Sequence, residues 1–212
     1  MNIALIGASG YVGAALLDEL LARGHHVSAL VGHPEKLAAR PGLRARKVDA
    51  LDATALAAAL TGHDAVISAF SGHAQHDVRG YYVAGMRAII TAAKQTAAPR
   101  LLVVGGAGSL YVAPGVQLVD TAEFPAQWKG TAEGARDALA LLQAETALEW
   151  TMLSPAAELV PGERSGHFRL GGDALLSDAA GRSWISLQDY AVALVDELET
   201  PAHRRQRFSV AY

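Results

Sequence analysis

Three observations predict an α/β fold with a doubly wound, mainly parallel sheet. Apolar runs of strand length alternate with helix-length amphipathic stretches along the whole chain, the first run leads into a glycine-spaced turn, and a second glycine cluster follows a later strand. Alternation of this kind requires crossover helices, which cover both faces of the sheet. A sheet buried on both faces needs many apolar residues, and the composition supplies 51% hydrophobic against 18% charged. At 212 residues the chain suits one domain with a well-buried core, so 1–212 is read as a single unit.

Asn2 to Ile6 is the first strand and Tyr11 to Arg23 the first helix, with Gly7, Gly10 and Gly13 between and inside them. In a Rossmann-like site such glycines have separate tasks: one makes the tight turn, one lets a pyrophosphate approach the backbone, and one lets helix and strand pack closely. The phosphates then sit where the helix presents unpaired N–H groups and the positive end of its dipole. The spacing is Gly-x-x-Gly-x-x-Gly, so Ala8 occupies a turn position, Ser9 can offer a hydroxyl, and Tyr11 and Val12 open the helix. A purely structural strand-to-helix turn is the competing reading of the motif alone.

Gly24 closes that helix and His26 to Val31 is the second strand. At the tip of this strand a carboxylate would bind the ribose 2′-OH of NAD, and an arginine would accommodate the 2′-phosphate of NADP. The tip here is Gly32-His33-Pro34, with neither. A 2′-phosphate is therefore admissible, with His33, Lys36, Arg40, Arg44 or Arg46 to meet it, and NADP(H) is favoured over NAD(H). His33 reads equally as a solvated loop residue.

Pro34 to Ala39 is expected as a short helix, Leu43 to Val48 as the third strand, and Asp49 and Ala50 follow where an adenine ring would lie. Asp52 can cap a helix over Ala53 to Leu60, and Asp64 to Phe70 is the fourth strand. Its end, Ala69-Phe70-Ser71-Gly72, is small enough to let a cofactor pass. His73, His76 and Asp77 offer metal-ligand spacing but no obvious third partner elsewhere, so no metal is expected.

Val78 to Thr96 is a long helix, Pro99 ends its connection, and Leu101 to Val104 is the fifth strand. It runs into Gly105-Gly106-Ala107-Gly108-Ser109-Leu110, at the carboxyl end of a strand, where open α/β sheets bind ligands; the glycines there are expected to clear space for something flat. Tyr111 to Glu123 is expected to be irregular, Phe124 to Lys129 to precede a helix over Thr131 to Glu145, and Trp150 to Leu153 to be the sixth strand. Ser154 and Pro155 to Ala157 stand at its end. Within 154–186, the glycine-rich stretch from Glu158 to Ser183 is expected to cover the strand ends without joining a sheet. An amphipathic helix from Leu187 to Leu198, facing the core or a homodimer partner, and a last strand over Arg207 to Ala211 complete the chain.

Composition excludes several classes. A net charge of -3 offers no basic face for nucleic acid, and zero cysteines exclude disulfides, thiolate catalysis and Cys-ligated metals. No apolar run approaches the roughly 18 residues of a membrane span, and no basic, apolar leader stands at the N-terminus. The expected setting is cytoplasmic and the expected partner a small molecule.

GASGYVG at 7–13, VVGGAGSL at 103–110, FPAQWKGTAEGARDAL at 124–139 and LSPAAELVPGERSGHFRLGGD at 153–173 together resemble the atypical short-chain dehydrogenases. The nearest branch holds NAD(P)H-binding, NmrA-like and NADH-flavin reductase proteins, often labelled epimerase or dehydratase. The resemblance implies that Gly7 to Gly13 hold the pyrophosphate, that Asp49 and Ala50 face adenine, and that Ala69, Phe70 and Ser71 border the ribose. It implies further that Gly105, Gly106, Ala107, Lys129, Ser154, Pro155 and Ala156 approach the nicotinamide. Two departures stand out. Relatives often carry arginine just after the second strand, where Gly32 and His33 stand here. Typical members carry Tyr-x-x-x-Lys, and here the position four before Lys129 is Pro125, while the adjacent Trp128 has an indole N–H that does not titrate usefully.

Carbonyl reduction by the usual proton relay is therefore not expected, and a sugar epimerase or dehydratase loses its base in the same way. Hydride transfer to a flavin- or quinone-like ring needs less help, because the conjugated ring spreads the charge and water can supply the proton; the protein mainly positions. Phe70, Leu110, Phe124, Trp128 and Phe168 could form a stacking wall, or each could be plain packing. Ser109 is a candidate donor to the acceptor or a turn residue. Lys129 is a candidate to hold the ribose, to stabilise developing charge, or merely to be solvated. A dinucleotide-sensing regulator without turnover is the reading outside enzymes.

Overall fold

The computed structural model describes residues 1–72, 76–96 and 100–212. In chain order the elements are β1 (Asn2–Ile6), α1 (Tyr11–Ala22), β2 (His26–Val31), β3 (Leu43–Lys47), α2 (Ala53–Leu60), β4 (Ala65–Ser68), α3 (Val78–Gln95) and β5 (Leu101–Val104). They continue with β6 (Tyr111–Ala113), β7 (Val116–Gln117), α4 (Ala126–Gln143), β8 (Trp150–Ser154), β9 (Glu158–Val160), β10 (Arg169–Gly171), β11 (Trp184–Ser186), α5 (Leu187–Glu199) and β12 (Gln206–Ala211).

The main sheet has the order β10-β12-β8-β5-β4-β1-β2-β3, and every pairing in it is parallel except β10 against β12. The chain winds outward from β1 through β2 to β3, then returns to place β4 on the other side of β1. That reversal between β1 and β4 opens the crevice in which doubly wound sheets bind ligands. Alternating strand residues feed two cores. Leu16, Leu17 and Leu20 of α1 and Tyr190, Leu194 and Leu198 of α5 pack on one face, and residues of α2, α3 and α4 pack on the other.

Several expectations are corrected. Pro34–Lys36 is a single 3₁₀ turn, shorter than a helix to Ala39, and Tyr111 to Gln117 folds into the small β6–β7 hairpin. The covering region is not free of sheet: β9 pairs in parallel with β11, and β10 becomes the antiparallel edge strand of the main sheet. Helix α4 begins at Ala126, before Thr131, because Pro125 serves as its extended N-cap residue and Trp128 N–H donates to the Pro125 carbonyl at 3.0 Å. Helix α5, by contrast, packs internally, the default of its two readings, with Leu187 to Val195 almost wholly buried apart from Gln188. His73 and Pro99 lie outside the described residues.

The covering segment is held by carboxylates. Asp189, fully buried on α5, accepts from Ser165 Oγ, from Gly166 N at 2.8 Å and from Tyr212 Oη at 2.6 Å. Arg164 forks onto Glu19 of α1 at 2.7 and 2.8 Å, and Arg23 binds the same carboxylate.

At the other end of the sheet, Arg100, just before β5, binds the buried Glu197 of α5, whose carboxylate also takes His203 Nδ1 at 2.8 Å. The Arg164 hydrogen bond, opposed by burial, holds the Glu19 carboxyl below its ordinary 4.5. For Glu197 burial pulls upward, but hydrogen bonds from His203, the backbone and Arg100 win and hold it below 4.5.

Carboxyls depressed on folding stabilise the native state above their unfolded pKa, and that stability is lost as pH falls through the folded values. Unfolding free energy measured by urea titration should therefore be flat from pH 7 to about 5 and should fall below about 4.5. A protein equally stable at pH 3.5 would refute the role given to these carboxylates.

Candidate cofactor and active site

In the glycine turn after β1, Gly7 makes the turn and Gly13 the close helix packing that the spacing predicts. Gly7 turns the chain at φ +79°, and a Cβ on it would lie 2.6 Å from the carbonyl oxygen of Ala69, the residue that follows β4. Gly13, in the first turn of α1, would place a Cβ 2.0 Å from the Gly7 carbonyl oxygen, so only glycine lets helix and turn meet. Gly10 is different: it is exposed, and a Cβ there meets only the Gly7 carbonyl oxygen, at 3.3 Å. It is also the N-cap of α1 and offers no side-chain cap. The first N–H groups of α1 have no intrahelical partner and open onto that exposed face, which suits a diphosphate.

Beside the turn lies a cavity of about 340 Å³, lined by Ile6, Gly7 and Ser9 from β1 and the turn, Gly32 at the tip of β2, and Lys47, Val48, Asp49 and Ala50 at the end of β3, with Phe70 and Tyr81 closing one side. It thus brings Gly7, Ser9, Gly32, Asp49, Ala50 and Phe70 together. Asp49 Oδ1 accepts from Leu51 N at 2.9 Å, which fixes the carboxylate and leaves its second oxygen able to accept from an adenine amino group. The Phe70 ring rests on Gly85 of α3, where a Cβ would stand 2.2 Å from it, and lies 5.4 Å from the Tyr81 ring. Lys47 and Tyr81 are absent from the sequence-derived set. Lys47 could have been found from strand alternation, because it pairs with Val31, the residue before Gly32.

Other expected residues lie outside the lining. Ala8 is buried, Val12 packs against the core, Tyr11 is exposed and donates through Oη to the Leu159 carbonyl at 3.2 Å, and Ser71 is exposed. His33 is exposed, with Nδ1 2.9 Å from Glu35 Oε1, and Lys36 is exposed on the 3₁₀ turn. Ala69 is half-buried, and its N–H donates to the Ile6 carbonyl at 2.9 Å, tying β4 to β1 at the crevice.

The nicotinamide side departs further. Gly105, Gly106 and Gly108 do not clear room for a ligand: a Cβ on each would meet Met152, Ala135 and Ala132 respectively, at 2.8, 3.1 and 2.6 Å. They let the loop containing Ala107 lie against α4 and β8. Ser109 is buried, and its hydroxyl accepts from Arg207 Nη1 at 3.2 Å, while the same guanidinium binds Asp173 of the covering segment at 2.6 Å. Its place is in that bridge, and Leu110 beside it is core, so neither faces an open cleft. Ser154, Pro155 and Ala156 are buried and form floor. Phe168 packs on the α1/α5 core and Phe124 is half-buried. Trp128 and Lys129 stand exposed on the first turns of α4.

Residues 7–201 match the NAD(P)H-binding family. The chain belongs to that family. Relatives named as reductase and epimerase agree with the resemblance of its motifs to the atypical short-chain dehydrogenases. It is 42% identical to the uncharacterized protein YwnB of Bacillus subtilis, over 99% of this chain and 98% of that one. A Bacteroides thetaiotaomicron structure provisionally named an epimerase shares 41% identity and a TM-score of 0.93, covering 100% of this chain and 96% of the other. A Streptococcus pneumoniae structure provisionally named an NADH-flavin reductase shares 36% identity and a TM-score of 0.87, over 100% and 99%. A Burkholderia pseudomallei structure provisionally named an exported protein shares 42% identity and a TM-score of 0.90, over the full length of both.

The cofactor is accordingly a nicotinamide dinucleotide, and the chemistry that of an NAD(P)H oxidoreductase. Among the described residues no helix is long and apolar enough to cross a membrane.

Proposed function

We propose that the protein transfers hydride from NAD(P)H, with NADP(H) favoured, to a flat conjugated small molecule of the flavin or quinone class. The carrying observation is what stands at the start of α4. Pro125 stands four residues before Lys129, the place of the proton-giving tyrosine in typical members, and the two buried phenols among the described residues are engaged elsewhere. Tyr82 donates to the Val104 carbonyl at 3.3 Å and Tyr190 to the Leu153 carbonyl at 2.7 Å, and burial pushes both phenols well above their ordinary range. Ser109 is engaged by Arg207.

Such a site supports an acceptor that needs no protein acid. The bound nicotinamide supplies the hydride. The chain's part is to seat the diphosphate at Gly10, to orient adenine through Asp49, and to offer Trp128 as a stacking face, with Lys129 beside it to hold the ribose. The name carried by the Streptococcus pneumoniae relative agrees with this reading. A cytoplasmic setting, with its pool of reduced nucleotide, is favoured over export, which the name of the Burkholderia relative suggests; cell fractionation decides.

Purified protein with NADPH or NADH and a panel of flavins and quinones should show saturable nucleotide oxidation, abolished by Gly10→Val. Tight, redox-selective binding with no turnover on any acceptor would overturn the enzyme reading in favour of a dinucleotide sensor.

A further inference from the structure

We infer that Lys47 sets the choice between NADP(H) and NAD(H), its ammonium meeting the 2′-phosphate beside Gly32; this rests on the cofactor reading above and names the side chain responsible. The argument starts with the alternation of β3. Successive strand residues point to opposite faces, so Arg44 and Arg46 share one face and Lys47 takes the other. Arg44 and Arg46 line a separate groove of about 490 Å³ with His26, Ser28 and His63, at the opposite end of the strands from the glycine turn. They are not at the ribose.

The other candidate cations are occupied or displaced. Arg40 is paired with Asp18, on the outer face of α1. His33 is held by Glu35, and that carboxylate opposes a phosphate approaching from its side. Lys36 stands on the following 3₁₀ turn, outside the cavity lining.

Lys47 lines the cavity together with Gly32 and Ser9 and forms no ion pair among the described residues. Its backbone partner across the strands is Val31, so its Cα is level with the residue before the tip. At Gly32 no atom lies within 4 Å of the point where a Cβ would stand, so the tip is open on that side. The carboxylate in the cavity lining, Asp49, accepts from the Leu51 amide. A lysine here acts as a point charge for a dianion, with little to gain from a neutral 2′-hydroxyl.

The test is titration of the intact protein and of Lys47→Gln and Lys47→Arg with NADPH and NADH, followed by fluorescence or calorimetry. Lys47 is at the exposed end of an edge strand, so neither variant endangers folding. Lys47→Gln should weaken NADPH about tenfold and NADH less than about twofold, while Lys47→Arg keeps most of the preference. The wild-type preference should shrink as salt rises from about 0.05 to 0.5 M.

If NADPH and NADH bind the wild type but Lys47→Gln leaves their ratio unchanged, the assignment to Lys47 fails while the cofactor reading stands. If the wild type binds neither nucleotide, the cofactor reading itself fails and takes the assignment with it.

Discussion

Gly13→Ala is expected to destabilise the protein by about 3 kcal/mol and to abolish nucleotide binding, whereas Gly10→Ala keeps the fold and weakens nucleotide binding. The contrast follows from what each new methyl group meets. At Gly13 it would lie 2.0 Å from the Gly7 carbonyl oxygen and 2.8 Å from the carbonyl carbon, both backbone atoms. Gly7 cannot retreat, because its own missing side chain faces the Ala69 carbonyl at 2.6 Å, and its N–H donates to the Leu30 carbonyl at 3.0 Å. Helix α1 must therefore lift away from the sheet, which moves the N–H groups meant for the diphosphate.

At Gly10 the backbone is already extended, at φ −79°, and the added methyl touches one atom at 3.3 Å. The helix-cap change costs about 1 kcal/mol. The methyl instead occupies the side from which phosphate approaches, and nucleotide affinity should drop by about tenfold or more. Thermal unfolding and nucleotide titration of both variants check this, with a melting point about 10 °C lower expected for Gly13→Ala alone. Equal stability of the two variants would show that the close approach of helix and turn carries no load.

Gly7 was legible because a turn between strand and helix demands it, although its close neighbour, Ala69, is distant in the chain, and Gly13 because its constraint is local, the Gly7 carbonyl six residues earlier. The same holds for β1, β2, α2 and β5, whose observed bounds agree with the sequence reading. What escaped the reading depends on distant partners. β9, β10 and β11 have three residues each, too few to show a period, and they exist because Trp184 finds Glu158 and Arg169 finds Ala211.

Gly105, Gly106 and Gly108 look like a ligand floor until Ala132 and Ala135 of α4 are seen against them. Ser109 looks like a free hydroxyl at a strand end, but its partner, Arg207, is 98 residues away. Lys47 follows Arg44 and Arg46, which the sequence offers for the 2′-phosphate; only the pleat separates the residue at the cavity from those at the far groove. Charge type is visible in a sequence, and the face it lies on becomes visible once strand bounds are fixed.

Glu197→Gln should be the most damaging change outside the nucleotide site. Glu197 is 4% exposed and faces Arg100, 7% exposed, with Thr151 Oγ1 taking a further guanidinium hydrogen bond at 2.9 Å and His203 N donating to the carboxylate at 2.9 Å. Removing the negative charge leaves the Arg100 guanidinium buried and uncompensated, a loss of about 3–5 kcal/mol. That is a large share of the 5–15 kcal/mol typical of a whole domain. The pair does not owe this sensitivity to strong net attraction, since desolvation cancels much of what two buried charges gain from each other.

The double variant Arg100→Met/Glu197→Leu should accordingly be more stable than Glu197→Gln. Urea unfolding of the wild type, both single variants and the double variant measures the coupling directly. Because the network joins the starts of β5 and β8 to the end of α5, across the sheet from Gly7 and Asp49, the folded fraction of each variant should bind NAD(P)H with wild-type affinity. A double variant less stable than either single one would mean that the ion pair itself holds this end of the sheet together.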